Sequence, residues 1–184
     1  PHYHISLQSG CDATLKRMNR KYTAEEYRRA VYMLRESITD VAITTDVMVG
    51  FPGETEEEFE ETFRFLTDIS LAQMHIFRFS PRKGTPAATY DNQVDAAVKE
   101  ERSNRLIELN NKNMLRFRKS FEGREMPVLF EQEVKGKDGY MEGHTANYIK
   151  VICQGEDNLR GEIANAKLDK AYVDYMEGTV VPCN

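Results

Sequence analysis

The amino-acid sequence predicts an α/β protein in which a partial parallel sheet is followed by a small all-β barrel. In the first part, three short runs rich in β-forming residues alternate with amphipathic helical segments. After residue 121 the pattern changes to short strand-like runs separated by turns that contain glycine. We therefore predict one domain over residues 1–121 and a second over residues 122–184.

The first domain has strand and helix signals in strict alternation. The predicted strands are His4–Leu7, Val41–Val49 and Met74–Phe79. Thr23 with Glu26, and Thr55 with Glu58, have the spacing of a capping box and each begin a helix. A complete (β/α)8 barrel takes about 250 residues, and these strand signals end near residue 80. We expect part of such a barrel, or a small open sheet, with parallel strands.

Apolar residues at helical spacing define the faces of the predicted helices. The first helix has Tyr27, Ala30, Val31 and Leu34 on one face, and the second has Phe59, Phe63, Leu66 and Ile69. A long connector helix is predicted over Val94–Lys119, with Leu106, Leu109 and Phe117 on one side.

The sequence pattern of the second domain predicts a five-stranded, OB-like barrel. Strand-like runs occupy residues 127–134, 148–152, 161–168 and 172–181, and Gly143–Val151 is typical of a strand that presents alternating polar and aromatic groups. Such a strand suits RNA binding. The alternative is a structural barrel that only packs on the first domain.

Charge restricts any contact with nucleic acid to a local surface. Residues 122–184 hold seven Lys and Arg against twelve Asp and Glu, which accounts for the whole net charge of −5. An RNA contact must therefore run through a narrow face. The candidate RNA-binding residues are Lys135, Lys137, Tyr148, Lys150 and Arg160.

The three cysteines, Cys11, Cys153 and Cys183, are odd in number and widely separated. They match neither a disulfide framework nor the spacing of a zinc or iron–sulfur site, so we expect reduced thiols and no metal site. No apolar run approaches the roughly 18 residues of a membrane helix, which predicts a cytoplasmic protein without a membrane partner. Because a strand-like run follows Pro1 at once, we expect the chain to begin inside a larger protein.

The sharpest local signal is the segment Asp46–Thr55, where a buried strand meets a Gly/Pro turn and then a capped helix. Ligands of α/β folds bind at the carboxyl ends of the strands. Gly50 and Gly53 would let the backbone approach a ligand, and free N–H groups at the helix start would suit a carboxylate or a ribose. The alternative is a plain strand-to-helix turn.

Polar residues also follow the other two predicted strands. Gln8-Ser9-Gly10 follows the first, and Ser80–Thr85 follows the third, so three strand ends should converge on one site. Asp46 lies in an apolar run, and therefore it either binds a ligand or bonds to a neighbour. A basic cluster just past the first strand is either part of this site or a solvated helix face: Lys16, Arg17, Arg20 and Lys21.

Four ordered segments resemble the radical S-adenosylmethionine (SAM) methylthiotransferases. They are His4–Cys11, Leu15–Thr23, Thr45–Thr55 and Phe79–Ala87. Residues 122–184 resemble the TRAM domain of those enzymes. The resemblance implies a partial radical SAM (β/α) TIM-like barrel followed by a TRAM barrel.

Within that family the Leu-Gln-Ser-Gly-Cys segment, Leu7–Cys11, is most similar to the MtaB-like enzymes. These convert N6-threonylcarbamoyladenosine, next to the anticodon of tRNA, to its 2-methylthio form. Enzymes that act on isopentenyladenosine in tRNA, or on a ribosomal protein, are the close alternatives. The resemblance implies tRNA as the partner, and no DNA.

The resemblance also implies a 4Fe-4S cluster, bound by a CxxxCxxC loop, that cleaves SAM to a radical which activates adenine C2. A second cluster takes part in sulfur delivery. The cysteines of neither cluster are in this chain, and clusters need cysteine thiolates. We therefore expect the chain alone to be inactive and its parent protein to be the transferase.

Carried over residue by residue, the resemblance implies a SAM site with the following members. Gln8 and Ser9 would lie near the ribose and the methionyl part, Arg20 near the SAM carboxylate, and Phe79 near adenine. Asp46 belongs to the same cofactor site, and Arg82 could face SAM or substrate. The turn beside the adenosyl group would consist of Gly50, Phe51, Pro52, Gly53 and Glu54.

Two other classes of protein stay open at this stage. A hydrolase or lyase built on an unrelated barrel would need an acid/base pair at the strand ends, and Asp46 with Glu54 is the one candidate. An RNA-binding or scaffolding module would show no dependence on SAM.

Overall fold

A computed structural model describes residues 1–155 and 157–182 of the chain. It divides into two compact units. The sheet unit comprises Tyr3–Thr39 and Ile43–Asn110, and the barrel unit comprises residues 1–2, 40–42 and the chain from Asn111 onward. The predicted domain boundary at residue 121 stays a prediction.

The first part of the chain alternates strands and helices as predicted. The elements are β1 (His2–His4), α1 (Asp12–Arg17), α2 (Ala24–Ser37), β2 (Ala42–Val49), α3 (Glu56–Ile69), β3 (Gln73–Arg78), a 3-10 turn (Pro86–Thr89) and α4 (Ala96–Lys119). The sheet order is β1-β2-β3. β2 pairs with β3 in parallel, with Asp46 opposite His75, and Gln8 forms a parallel bridge to Val47. The predicted open parallel sheet is confirmed.

Two details of this part differ from the sequence prediction. β1 ends at His4, because the chain from Ile5 onward keeps contact with β2 through only a few hydrogen bonds, such as Ile5 N to Thr44 O at 2.9 Å. The helix α1 was not predicted. Its six residues are too few for an apolar repeat to be recognised.

Both predicted capping boxes are present and begin α2 and α3. The predicted apolar face of α3 is partly wrong. Phe59, Leu66 and Ile69 are buried, but Phe65 takes the place of Phe63 in the core. Phe63 is half-buried at the edge of the face, where the guanidinium of Arg105 lies 5.0 Å from its ring centroid.

An ion pair joins α1 to the start of α3. Arg17 Nη1 donates to Glu58 Oε1 at 2.8 Å, and Nη2 donates to the other carboxylate oxygen. The hydrogen bonds from Arg17 lower the pKa of the Glu58 carboxyl. A carboxyl whose pKa is lower in the folded chain stabilises the fold above its unfolded pKa of about 4.3, and that contribution is lost as pH falls through the folded value.

We therefore expect Glu58→Gln to flatten the acid side of the stability profile. Glutamine keeps a side chain suited to the capping box, but it cannot titrate. The free energy of unfolding, measured by denaturant titration at pH 7, 5 and 3, should differ most between wild type and variant at pH 7 and converge at pH 3. Glu36→Gln on the exposed face of α2 is the control, and an equal difference at all three pH values would contradict the expectation.

The barrel unit contains five strands that close into a barrel. They are β4 (Glu125–Glu133), β5 (Tyr140–Thr145), β6 (Lys150–Gln154), β7 (Ile163–Ala171) and β8 (Met176–Val180), in the order β4-β5-β6-β8-β7. Only β6 and β8 pair in parallel among the described strands of the barrel. Alternate inward residues fill its core, among them Val128, Phe130, Met141, Val151, Leu168 and Met176. The predicted small closed barrel is confirmed.

The prediction of one continuous strand over Gly143–Val151 is wrong. β5 ends at Thr145 and β6 begins at Lys150, with a turn between them. The Thr145 hydroxyl accepts a hydrogen bond from Ile149 N and donates one to Asn147 Oδ1. These local hydrogen bonds replace the strand ladder, and Tyr148 adopts a left-handed backbone with φ of 66°.

Among the described helices, none combines the length and the apolar character needed to cross a membrane.

Candidate functional site

A cavity of about 490 Å³ lies at the carboxyl ends of the three strands of the sheet unit. Its lining comes from the turn after β1, from β2, and from β3 with the loop that follows. The lining residues are Gln8, Asp46, Met48, Phe77, Arg78, Phe79, Ser80, Arg82, Thr85 and Ala87. The three strand ends thus meet, and four of the predicted site residues lie together here: Gln8, Asp46, Phe79 and Arg82.

Gln8 lines the cavity and has an uncommon backbone conformation. Its φ is 71°, a region that costs a non-glycine residue of the order of 1–2 kcal/mol. The surrounding sheet enforces it, because Gln8 N donates to Asp46 O at 2.8 Å and Gln8 O accepts from Met48 N at 2.9 Å. Strain of this kind is concentrated at ligand sites.

Asp46 is half-buried and is held by two side chains from the first strand region. Ser6 Oγ donates to Asp46 Oδ2 at 3.2 Å, and His4 Nε2 lies 3.3 Å from the same oxygen. The other ring nitrogen of His4 lies 3.0 Å from Thr44 Oγ1. These contacts orient the carboxylate of Asp46, which lines the cavity. An oriented carboxylate can accept hydrogen bonds from hydroxyl or amino donors.

The apolar part of the cavity is supplied by Phe79 with its neighbours. The ring of Phe51 meets the ring of Phe79 edge-on, with 5.2 Å between centroids, and Phe79 N donates to Val49 O at 2.9 Å. Lys99 Nζ donates to Phe79 O at 3.2 Å. Backbone and ring of Phe79 are therefore fixed, which suits it to contact a planar ligand group.

Ser9 was predicted to contact a ligand, but its hydroxyl is buried in contacts within the sheet unit. Ser9 Oγ lies 3.0 Å from Thr62 Oγ1 and accepts a hydrogen bond from Cys11 N at 3.2 Å. The next residue, Gly10, has no room for a side chain, since a Cβ would lie 2.8 Å from Phe65 Cβ. In this structure the Ser9-Gly10 segment anchors the turn to α3, and only Gln8 reaches the cavity.

Glu54 likewise faces the interior of the unit. Its carboxylate accepts hydrogen bonds from Gly50 N at 2.9 Å and from Arg102 Nη1 at 2.7 Å, with side-chain exposures of 3% and 4% for Glu54 and Arg102. Burial raises the pKa of the Glu54 carboxyl despite these bonds. An acid/base pair of Asp46 with Glu54 has no support here, because Glu54 is bonded to α4 and does not line the cavity.

The Gly/Pro turn after β2 is packed against other parts of the same unit. Gly53 N donates to Asn92 O at 2.9 Å, and Phe51 and Pro52 are buried. Gly50 has φ of 71°, and a Cβ there would lie 2.1 Å from Lys99 Cγ. The space beside Gly50 is therefore filled by a lysine side chain, and the predicted close approach of a ligand to this glycine stays a prediction.

The basic cluster Lys16, Arg17, Arg20 and Lys21 does not line the cavity. Arg17 is committed to Glu58, and Lys21 Nζ donates to Asn19 Oδ1 at 2.7 Å. Arg20 is exposed. Arg20 does not line this cavity, and its role beside the SAM carboxylate stays a prediction.

Six lining residues were not among the individually predicted site residues, although Ser80 and Thr85 bound the polar segment expected here: Met48, Phe77, Arg78, Ser80, Thr85 and Ala87. A signal for two of them existed. Side chains two residues apart on a strand share a face, so Met48 follows from Asp46. The register then places Phe77 opposite Met48. Without the register the sequence could not have chosen Phe77.

The described cysteines do not fit an iron–sulfur cluster. Cys11 and Cys153 are both buried, and burial raises the pKa of each thiol, to about 12 for Cys153. A cluster ligand must be a thiolate. No group of three or more His, Cys, Asp or Glu suited to a metal occurs among residues 1–155 and 157–182. Cys183 lies outside the described residues.

The predicted RNA-binding residues are spread over both ends of β5. Lys135 and Lys137 lie in the turn between β4 and β5, whereas Tyr148 lies in the turn at the other end of β5. A six-residue strand separates them by about 20 Å. Lys150 Nζ is 2.5 Å from Glu142 Oε2, and Lys137 Nζ lies 3.6 Å from the ring centroid of Tyr140. Arg160 lies in the segment before β7.

Comparison with known proteins defines the class of the first part of the chain. Residues 1–66 match the Radical SAM superfamily, in agreement with the parallel sheet and the cavity at its carboxyl edge.

Longer relatives extend the match to 98% of the chain. The threonylcarbamoyladenosine tRNA methylthiotransferase MtaB of Bacillus subtilis is 40% identical. The tRNA-2-methylthio-N(6)-dimethylallyladenosine synthases of Desulforamulus reducens and of Thermoanaerobacter sp. are 40% and 41% identical. The chain spans 40%, 40% and 38% of the length of these three relatives.

The chain is therefore similar to tRNA methylthiotransferases over nearly its whole length, and its first 66 residues match the Radical SAM superfamily. Radical SAM methylthiotransferases use SAM and 4Fe-4S clusters.

Proposed function

We propose that this chain is the SAM-binding and RNA-binding part of an enzyme that methylthiolates C2 of N6-threonylcarbamoyladenosine next to the anticodon of tRNA. The observation that carries the proposal is the cavity at the strand ends together with the match to tRNA methylthiotransferases over 98% of the chain. When bound, SAM would supply the 5′-deoxyadenosyl radical, with one electron from a 4Fe-4S cluster whose cysteines are not in this chain. The chain's own residues bind and orient the cofactor.

The lining residues are chemically suited to a nucleoside with a charged tail. Phe79 and Met48 offer apolar contact to a planar base, Asp46 offers a fixed acceptor for hydroxyl groups, and Arg82 offers a cation for a carboxylate. Gln8 can donate and accept through its amide. These side chains therefore fit the adenosyl and methionyl parts of SAM. Ser9 and Glu54 do not line the cavity but hold the turns that carry its lining residues.

We further propose that the barrel unit is a TRAM domain that contacts the tRNA. Its five-stranded closed barrel is OB-like in size, and barrels of this kind bind single-stranded nucleic acid through one face. Its acidic composition limits the contact to a small area.

The SAM site is tested by affinity measurements on the full-length protein. Phe79→Ala should weaken SAM binding by about fivefold or more, since an aromatic contact to a base contributes about 1–3 kcal/mol. Phe63→Ala on α3 is the matched control and should leave SAM affinity unchanged. If Arg82→Ala lowers the affinity for SAM, Arg82 contacts SAM; if it lowers the affinity for tRNA instead, Arg82 contacts the substrate. A loss of SAM affinity in Arg20→Ala would show that the SAM carboxylate is bound outside the cavity. Unchanged SAM affinity in a folded Phe79→Ala protein would remove the cavity as the SAM site.

The substrate is tested by nucleoside mass spectrometry of tRNA from cells with and without the full-length gene. The proposal expects 2-methylthio-N6-threonylcarbamoyladenosine to depend on the gene. The relatives named for dimethylallyladenosine are as similar as the one named for threonylcarbamoyladenosine. Dependence of the dimethylallyl product instead would assign the alternative substrate.

A further inference from the structure

The barrel unit carries an apolar patch on its outer face. Leu129 of β4 pairs in register with Ile163 of β7, and Tyr148 lies in the turn between β5 and β6. Their exposures are 41%, 70% and 68%, although none of these side chains contributes to the barrel core. Together with Pro127 they line a cavity of about 370 Å³. Exposed apolar side chains that share one cavity make that cavity a candidate binding surface.

The backbone of Tyr148 is held in a strained conformation that projects its ring. With φ of 66°, a non-glycine residue costs the fold stability, and such strain persists mainly at functional positions. The exposed Tyr148 ring lies 5.0 Å from the ring of His2 and 5.4 Å from that of His144, measured between centroids. These contacts fix an aromatic platform that the core does not need.

A polar edge completes the cavity. Glu131 and His144 both line it, and Glu131 Oε2 lies 2.5 Å from His144 Nδ1. A carboxylate held in place by an imidazole presents acceptors to a ligand that carries N–H donors. The cavity thus pairs a flat apolar platform with hydrogen-bond acceptors at one side.

The charges around this cavity disfavour a ligand held by its phosphates. Residues 122–184 are acidic, the ammonium of Lys150 is paired with Glu142, and Lys135 and Lys137 lie at the opposite end of β5. Counterion release therefore adds little to binding at this place. What the surface offers is stacking and hydrogen bonding to a base.

We propose that the cavity lined by Leu129, Glu131, His144, Tyr148 and Ile163 binds one unstacked nucleobase of single-stranded RNA that carries an exocyclic amino group. The base stacks on Tyr148, and its amino group donates to Glu131. This assignment rests on the proposed RNA-binding role of the barrel and adds the position and the type of base. It also moves the contact away from the lysines that the sequence suggested.

The test measures binding of fluorescein-labelled eight-nucleotide oligo(A), oligo(C) and oligo(U) to the 184-residue chain over a range of salt concentrations. Oligo(A) and oligo(C) should bind more tightly than oligo(U). Tyr148→Ala should weaken binding at least about fivefold, with an unchanged slope of affinity against salt, while Tyr148→Phe keeps the affinity. Glu131→Gln should abolish the preference over oligo(U). Lys137→Ala, at the other end of β5, is the matched control and should change neither.

Each variant is first checked for an unchanged thermal unfolding midpoint. Absence of oligonucleotide binding by the wild-type chain, or full binding by a folded Tyr148→Ala chain, would overturn the proposal and leave the patch to a protein partner. Loss of affinity and of salt slope in Lys137→Ala would overturn it in favour of phosphate contacts. A failure of the proposed function can be told apart from a failure of this inference, because the nucleoside analysis of cellular tRNA detects the modification itself.

Discussion

Arg102→Met should lower the free energy of unfolding by about 3–5 kcal/mol, the cost of leaving a buried charge without its partner. Arg102 donates to the Glu54 carboxylate at 2.7 Å, to Glu54 O at 3.2 Å and to Glu56 Oε2 at 2.9 Å. Methionine keeps much of the apolar bulk but none of the donors. The Glu54 carboxylate would then retain only its bond from Gly50 N.

The control for this prediction is Arg105→Met, one turn further along α4. Arg105 pairs with Glu60 and Glu56 at the surface, with about a third of its side chain exposed, and exposed pairs contribute about 0–1 kcal/mol. Denaturant unfolding at pH 7 measures both variants. Equal losses for Arg102→Met and Arg105→Met would show that the Glu54–Arg102 pair does not hold the turn.

The same pair gives the prediction a pH dependence. Burial already raises the pKa of Glu54, and removal of Arg102 raises it further. A carboxyl whose folded pKa is raised stabilises the fold below its unfolded pKa of about 4.3, and that contribution is lost as pH rises through the folded value. The deficit of Arg102→Met should therefore be smaller at pH 4 than at pH 7.

Gly50→Ala should destabilise the sheet unit by more than about 2 kcal/mol, from two separate causes. The left-handed backbone costs an alanine about 1–2 kcal/mol, and the new Cβ, 2.1 Å from Lys99 Cγ, forces Lys99 to move. Gly53→Ala has a similar φ of 78°, but its nearest neighbour is Arg17 Nε at 3.5 Å. It should show the backbone cost alone.

The double variant Gly50→Ala with Lys99→Ala separates these causes. Removal of Lys99 Cγ and Cδ relieves the collision. The free energy of unfolding should therefore fall less in the double variant than the sum of the two single losses, by at least about 1 kcal/mol. Additive losses would contradict the packing argument. Because Gly50→Ala also destabilises the sheet unit, lower SAM affinity in this variant does not by itself show that Gly50 contacts the ligand.

The sequence by itself determined most of the elements and their order, but not α1 or the turn between β5 and β6. Capping boxes at Thr23 and Thr55 act within four residues, and β2 was recognised from a run of β-forming residues, so local rules were enough to predict α2, α3 and β2. The order of strands and helices then predicted the parallel sheet. The closed barrel followed from short runs and turns. A local rule also explains one error, because the hydrogen bonds of Thr145 ended a strand that alternation alone would continue.

Only the tertiary structure decided which polar residues face a cavity and which face the interior. Ser9 and Glu54 looked like Gln8 and Asp46 in the sequence, but the first two are bonded to Thr62 and Arg102, 53 and 48 positions away along the chain. The platform of Tyr148 likewise depends on His2, at the other end of the chain. Partners this distant are brought together by packing, and no spacing rule along the sequence records which of several polar side chains they will meet.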